Sequence, residues 1–218
     1  APDRGRGMNF VRTAEKDLVQ GVAIGSDPAS LGALIQPGCA AAVWRRQMPS
    51  DVQTWLDDLP PDVLPRGRVT LPRQSVSEAV EHLCDMSGLP AAPQRNWLHQ
   101  DIVFLANTFA DLTQAMVLRL RLDAITTNAC RRFHKDAVTS RLVCTYRGTG
   151  TQYGQSDGEA DPAHIVTVPT GAPILLRGTL WPEIPASGLL HRSPPIEGTG
   201  EVRLVLVLDP IFDPDEPA

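Results

Sequence analysis

The chain has 218 residues and 23.6 kDa, enough to bury one good core. Hydrophobic residues at 42% and charged residues at 21% are globular values that exclude an extended disordered chain. A net charge of -5 argues against a nucleic-acid binder, and no apolar run approaches membrane-spanning length, so neither partner is expected.

Residues 1–17 read as a loose polar arm without the apolar centre of a signal peptide. Asp27 and Pro28 form a helix-start pair, with Asp27 as cap and a stop near Pro37-Gly38. Cys39 to Trp44 reads as a buried strand of small residues. Ser50 is placed as the cap of a short helix over 52–59, which the prolines at 60, 61 and 65 terminate. Residues 68–71 read as a strand and 75–86 as an amphipathic helix, with Val76, Ala79, Val80, Leu83 and Cys84 on one face and His82 in solvent. After a linker over 88–93, an apolar stripe from Ile102 through Leu105, Phe109, Leu112 and Met116 to Leu120 predicts the longest helix, over 97–120. Asp101 is read as favouring the dipole at the start of that helix.

Beyond residue 121 the helical period gives way to short strand-like runs at 124–127, 141–146, 165–168, 173–176 and 202–208, separated by Gly and Pro. Helices first and strands later predict an α+β protein with a barrel or jelly-roll in its C-terminal half. The expected organisation is one domain over 18–210, its 18–121 part mainly helical and its 122–210 part a β-barrel, followed by an acidic tail over 211–218.

The chemistry concentrates in Phe133-His134-Lys135-Asp136. On an extended segment His134 and Asp136 point to the same face, about 7 Å apart at Cα. A second histidine, His191, lies 55 residues beyond Asp136. Two histidines and one carboxylate make the facial triad that binds non-haem iron and leaves open positions for co-substrate and oxygen. Arg203 follows His191 by 12 residues and heads the apolar strand Leu204 to Leu208. A guanidinium turned inward there requires an anion, and its fork suits a carboxylate. Cys130 alternates onto the face of His134 and is read as a buried thiol, with a fourth, zinc-favouring ligand as the other option. The four cysteines show no C-x-x-C spacing, which places the chain in a reducing, cytoplasmic setting.

H-x-D, a distant His and an Arg beyond it resemble the Fe(II)/2-oxoglutarate-dependent oxygenases. That resemblance implies a double-stranded β-helix, a jelly-roll or cupin-like barrel flanked here by the N-terminal helices. It assigns His134, Asp136 and His191 to Fe(II) and Arg203 to the distal carboxylate of the 2-oxoglutarate co-substrate. Many such enzymes carry Ser or Thr two residues after the Arg, where this chain has Val205; Thr145 or Tyr146 is assigned to supply the missing hydrogen bond. More narrowly, Pro37 to Arg46, Cys130 to Asp136, Arg141 to Gly148, His191 to Pro195 and Arg203 to Asp209 resemble DUF1826, a bacterial family of unknown function. The reading is a dioxygenase of hydroxylase type acting on a small molecule or peptide. The alternative is a cupin-like protein that binds zinc or another divalent ion without redox turnover and serves metal homeostasis, a link the family resemblance implies.

Overall fold

A computed structural model of the chain describes residues 19–156, 158, 160–182 and 187–212. The arm expected over 1–17 lies outside them, as does the acidic tail beyond Phe212.

Ten strands and three α-helices make up the regular structure of the described residues, with all three helices before β4. In order they are β1 (Val22–Gly25), β2 (Ala41–Trp44), α1 (Ser50–Asp58), β3 (Gly67–Pro72), α2 (Val76–Ser87), α3 (Pro93–Thr113), β4 (Val117–Ile125), β5 (Ser140–Arg147), β6 (Gln152–Gln155), β7 (Val166–Thr167), β8 (Pro173–Arg177), β9 (Leu189–Arg192) and β10 (Arg203–Ile211). Short 3-10 turns over Pro28–Ile35, Pro61–Val63 and Arg73–Ser75 join some of them. Seven strands form a large sheet in the order β1-β2-β8-β5-β10-β4-β3, and three form a small sheet, β7-β6-β9. The protein is therefore α+β.

Strand alternation divides the large sheet into two chemically distinct faces. Leu118, Leu120 and Leu122 of β4, Leu142 and Cys144 of β5, and Leu204, Leu206 and Leu208 of β10 join one core with helix residues such as Val80, Ile102, Leu105 and Phe109. The opposite face contributes Val143, Val205, Val207 and Ile174 to a second core, which Tyr153, Val166 and Leu189 of the small sheet complete. Residues alternate between helices on one side and a second sheet on the other, so β10 is buried along its whole length.

Three expectations need correction. The long helix stops at Thr113, seven residues early. Gln114 takes the left-handed conformation that ends a helix, its N–H bonding the carbonyls of Ala110 and Asp111. Leu118 and Leu120 then continue the apolar stripe from a strand, while Met116 is 67% exposed. Every-second-residue spacing in Leu118-Arg-Leu120-Arg-Leu122 was the available strand signal, masked because positions 116 and 120 also fit the helical period. The sheet runs across the division at residue 121, because β2 pairs with β8, and β4, which carries β3 on its other edge, pairs with β10. The caps also differ: neither Asp27 nor the residue before α1, Pro49, makes a side-chain cap, and Ser50 is already inside the helix. Strands β1, β6 and β9 are too short, or too rich in Gly and Gln, for their alternation to show in the sequence.

Candidate metal centre

The H-x-D segment is extended but is not a strand of either sheet. It is held to β9 by one antiparallel bridge, in which the N–H of His134 donates to the carbonyl of His191 and the N–H of His191 to that of His134, both at 3.0 Å. Such a reciprocal pair sets two residues directly opposite each other, with Cα atoms about 5.5 Å apart. It brings the two imidazoles to 4.6 Å between centroids. Asp136, two residues on, completes the group: one ligating atom from each of His134, Asp136 and His191 falls within 4.8 Å of the others.

The carboxylate is held at both ends. Its Oδ1 lies 2.6 Å from Arg141 Nη1 and 3.4 Å from His134 Nε2, and its Oδ2 lies 2.9 Å from His191 Nε2. Despite that separation Oδ2 is buried and accepts no hydrogen bond. Two lone pairs facing a common point produce this geometry, since ligands at cis positions about 2.1 Å from one ion stand about 3 Å apart. The donor set, two imidazoles and one carboxylate, fits a divalent transition metal.

Burial alone would raise the Asp136 carboxyl, but the facing imidazoles of His134 and His191 and the Arg141 guanidinium outweigh it and hold the group well below the usual carboxylate range. His134 is shifted up, first by its hydrogen bond with Asp136, against an opposing effect of burial. Its Nδ1 lies 2.8 Å from the carbonyl of Arg132, which fixes the ring and leaves Nε2 toward the carboxylate.

Arg141, absent from the sequence-based site, is its main support. From β5 it reaches Asp136, and its Nε and Nη2 donate to Asp209 at 2.7 and 2.8 Å. Asp209 is 3% exposed within β10. The sequence signal was its position two residues beyond Val207, on the same face. What hid it was the apparent end of the apolar run at Leu208.

Arg203 points inward, as expected, and is 1% exposed. Its Nε donates to the carbonyl of Thr149 at 2.6 Å and its Nη2 contacts Thr145 Oγ1 at 3.4 Å, while Nη1 is buried with no partner. Burial lowers its pKa to about 10, only partly offset by Glu201. A buried cation with an unfilled donor fits an anionic ligand. Gly148, at φ +76°, permits this placement: a Cβ there would stand 2.9 Å from Arg203 Cγ and 2.7 Å from the Val202 carbonyl. Arg203, His134, His191 and Arg141 line one cavity of about 200 Å³.

Tyr146 does not belong to this site. The pairing of β5 with β10 shifts between Leu204 and Val205, so Tyr146 is the extra residue of a bulge. It turns to the helix side and donates its hydroxyl to Asp101 Oδ2 at 2.7 Å. Thr145 stays on the cavity side beside Arg203. Asp101 is likewise not a dipole residue but the buried partner of Arg46, whose Nη1 and Nη2 donate to its two oxygens. Cys130 is exposed rather than buried, at the cavity wall and outside the group of three ligating atoms. The carbonyl of Cys130, not its thiol, makes the tertiary contact, accepting from the N–H of Ser193.

A family profile for a protein of unknown function, DUF1826, matches residues 25–209. The chain belongs to this family. No curated protein matches the sequence. Among solved structures, the DUF1826 chain is similar to dioxygenase for auxin oxidation 1 from Arabidopsis thaliana, in binary complex with 2-oxoglutarate. The TM-score is 0.54 at 11% identity, over 92% of this chain and 95% of that one. The rice dioxygenase for auxin oxidation matches with TM-score 0.49 at 14% identity, covering 91% and 85%. A Pseudomonas putida prolyl-4-hydroxylase matches with TM-score 0.42 at 14% identity, covering 84% and 96%. The first of these likenesses shows a shared fold. Within the described residues, no helix of this family member is long and apolar enough to cross a membrane.

Proposed function

We propose that this DUF1826 protein is a non-haem Fe(II)/2-oxoglutarate-dependent dioxygenase of hydroxylase type, built on a double-stranded β-helix formed by its two sheets. The observation that carries the reading is the placement of Arg203: a buried guanidinium with one free donor, lining the same cavity as the His134-Asp136-His191 group. A protein that only bound a metal would need the three ligands and no buried cation beside them.

In this reading His134, Asp136 and His191 hold the metal and Arg203 takes the distal carboxylate of 2-oxoglutarate through its Nη1, with Thr145 Oγ1 alongside. Iron held by these three residues would supply the chemistry that couples oxidative decarboxylation of 2-oxoglutarate by dioxygen to oxidation of a substrate C–H bond. The chain's own residues do the rest. Arg141 takes Asp136 Oδ1 and leaves Oδ2 as the ligating oxygen. Val205 and Val207 give the cavity an apolar floor, and Val205 stands where a hydroxyl would otherwise aid Arg203. The dry floor strengthens the pairing of Arg203 with a carboxylate.

The test is calorimetric titration of anaerobic, metal-loaded protein with 2-oxoglutarate, together with assay of succinate formation in air. Wild type is expected to bind 2-oxoglutarate and to form succinate even without added substrate. Arg203→Ala is expected to keep its metal and lose about tenfold or more in affinity, the effect of removing one charge-assisted pair of about 1.5–3 kcal/mol. Equal affinity in the variant would remove the co-substrate role and leave the non-redox metal-binding alternative.

A further inference from the structure

We propose that the substrate of this site is a small organic anion carrying a carboxylate or phosphate, received on a ledge formed by Arg68, Arg119 and Arg121. The ledge is a structural assignment; that its occupant is a substrate rests on the dioxygenase reading.

Leu118, Leu120 and Leu122 face the helices, so Arg119, Arg121 and Asp123 of β4 face the other way, toward the cavity side. On β3, Val69 and Leu71 pack with the helix-side core, which puts Arg68 and Thr70 on that same opposite face. The register sets Arg68 directly opposite Arg121, with Arg119 two residues along β4. Like charges directly opposed on one face of a sheet destabilise it. The core shared with the small sheet lies over β2, β5, β8 and β10 and reaches β4 only at its end, Ile125, so Arg68 stays exposed and Arg119 and Arg121 half-buried. Its inner end enters the metal cavity, where Arg121 and Asp123 line the wall with His134 and His191.

The positive charge is neutralised only in part. Asp123 pairs with Arg121 at 3.1 Å. Asp209 stands opposite Arg119 in the register, but both its oxygens are taken by Arg141. Among the described residues Arg68 and Arg119 have no acidic partner, and Arg119 Nε is buried without a hydrogen bond. This concentration of arginine occurs in a chain whose net charge is -5. Protection of an edge strand from aggregation would account for Arg68 on β3. It does not account for Arg119 and Arg121, because β4 is an interior strand paired on both sides. Three guanidinium groups on one face with a single carboxylate among them suit a planar or tetrahedral oxyanion. A cavity of about 200 Å³ limits what reaches the metal to a small molecule or one end of a larger one.

The experiment titrates the metal-free full-length chain with tricarballylate, inorganic phosphate and, as a neutral control, the trimethyl ester of tricarballylate. A parallel titration follows 2-oxoglutarate binding to the Mn(II)-loaded chain. At least one of the two anions is expected to bind in the millimolar range or tighter, more weakly at high salt, while the ester does not. The double variant Arg68→Gln/Arg121→Gln, checked for a thermal midpoint no lower than that of wild type, is expected to lose about tenfold or more in anion affinity. The affinity for 2-oxoglutarate of Arg68→Gln alone, a residue outside the cavity lining, should change less than twofold. If the double variant does not fold, Arg68→Gln alone, on the exposed edge, is read by the same loss. Preference for tricarballylate assigns a carboxylate and preference for phosphate a phosphate ester; either result supports the ledge. The proposal is overturned if neither anion binds, if the variants bind as well as wild type, if Arg203→Gln rather than the ledge variant abolishes binding, or if only a single-stranded oligonucleotide binds. Binding of the anions at the ledge without 2-oxoglutarate binding would instead sink the dioxygenase reading and leave the ledge standing.

Discussion

Asp136 is a carboxylate with two assignments, one per oxygen, and the second depends on residues well outside the H-x-D motif. Arg141 holds Oδ1, and Arg141 is itself held by the two oxygens of Asp209. Weakening the outer pair should let Arg141 move further onto Asp136 and compete with the metal. Asp209→Asn is therefore expected to cost about 10- to 100-fold in metal affinity, measured by competition with a coloured chelator; unchanged affinity would mean that Arg141 needs no outer partner. The cysteines give an independent check of the same region. Burial pushes the Cys84 thiol up to about 11 and Cys144 up to about 12, whereas Cys130 is exposed at the cavity wall. A raised thiol pKa means little thiolate below that pH, and thiolate is the reactive form. At neutral pH iodoacetamide should alkylate Cys130 well before Cys84 or Cys144, read by peptide mass spectrometry. Faster labelling of Cys144 would show that β5 is not buried as described.

At the scale of elements, the helix layer is joined to the sheet by a buried charge cluster. Arg46, just after β2, pairs with Asp101 on α3, donates from Nε to the carbonyl of Gly171 at 2.7 Å, and stacks 4.4 Å over Trp44. Tyr146 of β5 adds its hydroxyl to Asp101. Three elements thus meet on one carboxylate that is 9% exposed. Asp101→Ala removes the carboxylate from Arg46 Nη1 and Nη2 and from the Tyr146 hydroxyl, and breaking a buried pair from one side costs about 3–5 kcal/mol. Urea denaturation should show that loss with little change in slope. A loss below about 1 kcal/mol would place the pair among weak surface ion pairs instead.

Across the whole molecule, the metal group ties two segments that no regular sheet connects. His134 and Asp136 sit on a loop joined to β9 by a single bridge, and β9 belongs to the small sheet. An ion bound only by the folded state stabilises it by mass action, about 2.7 kcal/mol at a hundredfold excess over Kd. Asp136→Ala removes the only anionic ligand of the three. It is expected to lose most bound metal by elemental analysis and to abolish the rise in thermal midpoint that metal gives wild type. Full metal stoichiometry in this variant would show that the carboxylate is not a ligand.

What the sequence determined on its own was local or periodic: α+β class, the positions of α1, α2, β2, β3, β5, β8 and β10, and the candidacy of His134, Asp136, His191 and Arg203. Period-two burial and the scarcity of His and inward Arg suffice for these, because each depends on a few neighbouring residues. Tertiary structure decided the rest. A bulge set which residue of β5 stands beside Arg203, leaving Thr145 there, while Tyr146 follows Leu142 and Cys144 to the helix side. Bulges depend on the register of two strands 58 residues apart, to which neither strand's own pattern is sensitive. Asp209 and Arg141 became partners because β5 and β10 are neighbours in the sheet, a choice of strand order that no single segment encodes. Long-range pairing is where the charges of this chain acquire their roles, since an ion pair between sheet neighbours leaves no periodic mark in the sequence.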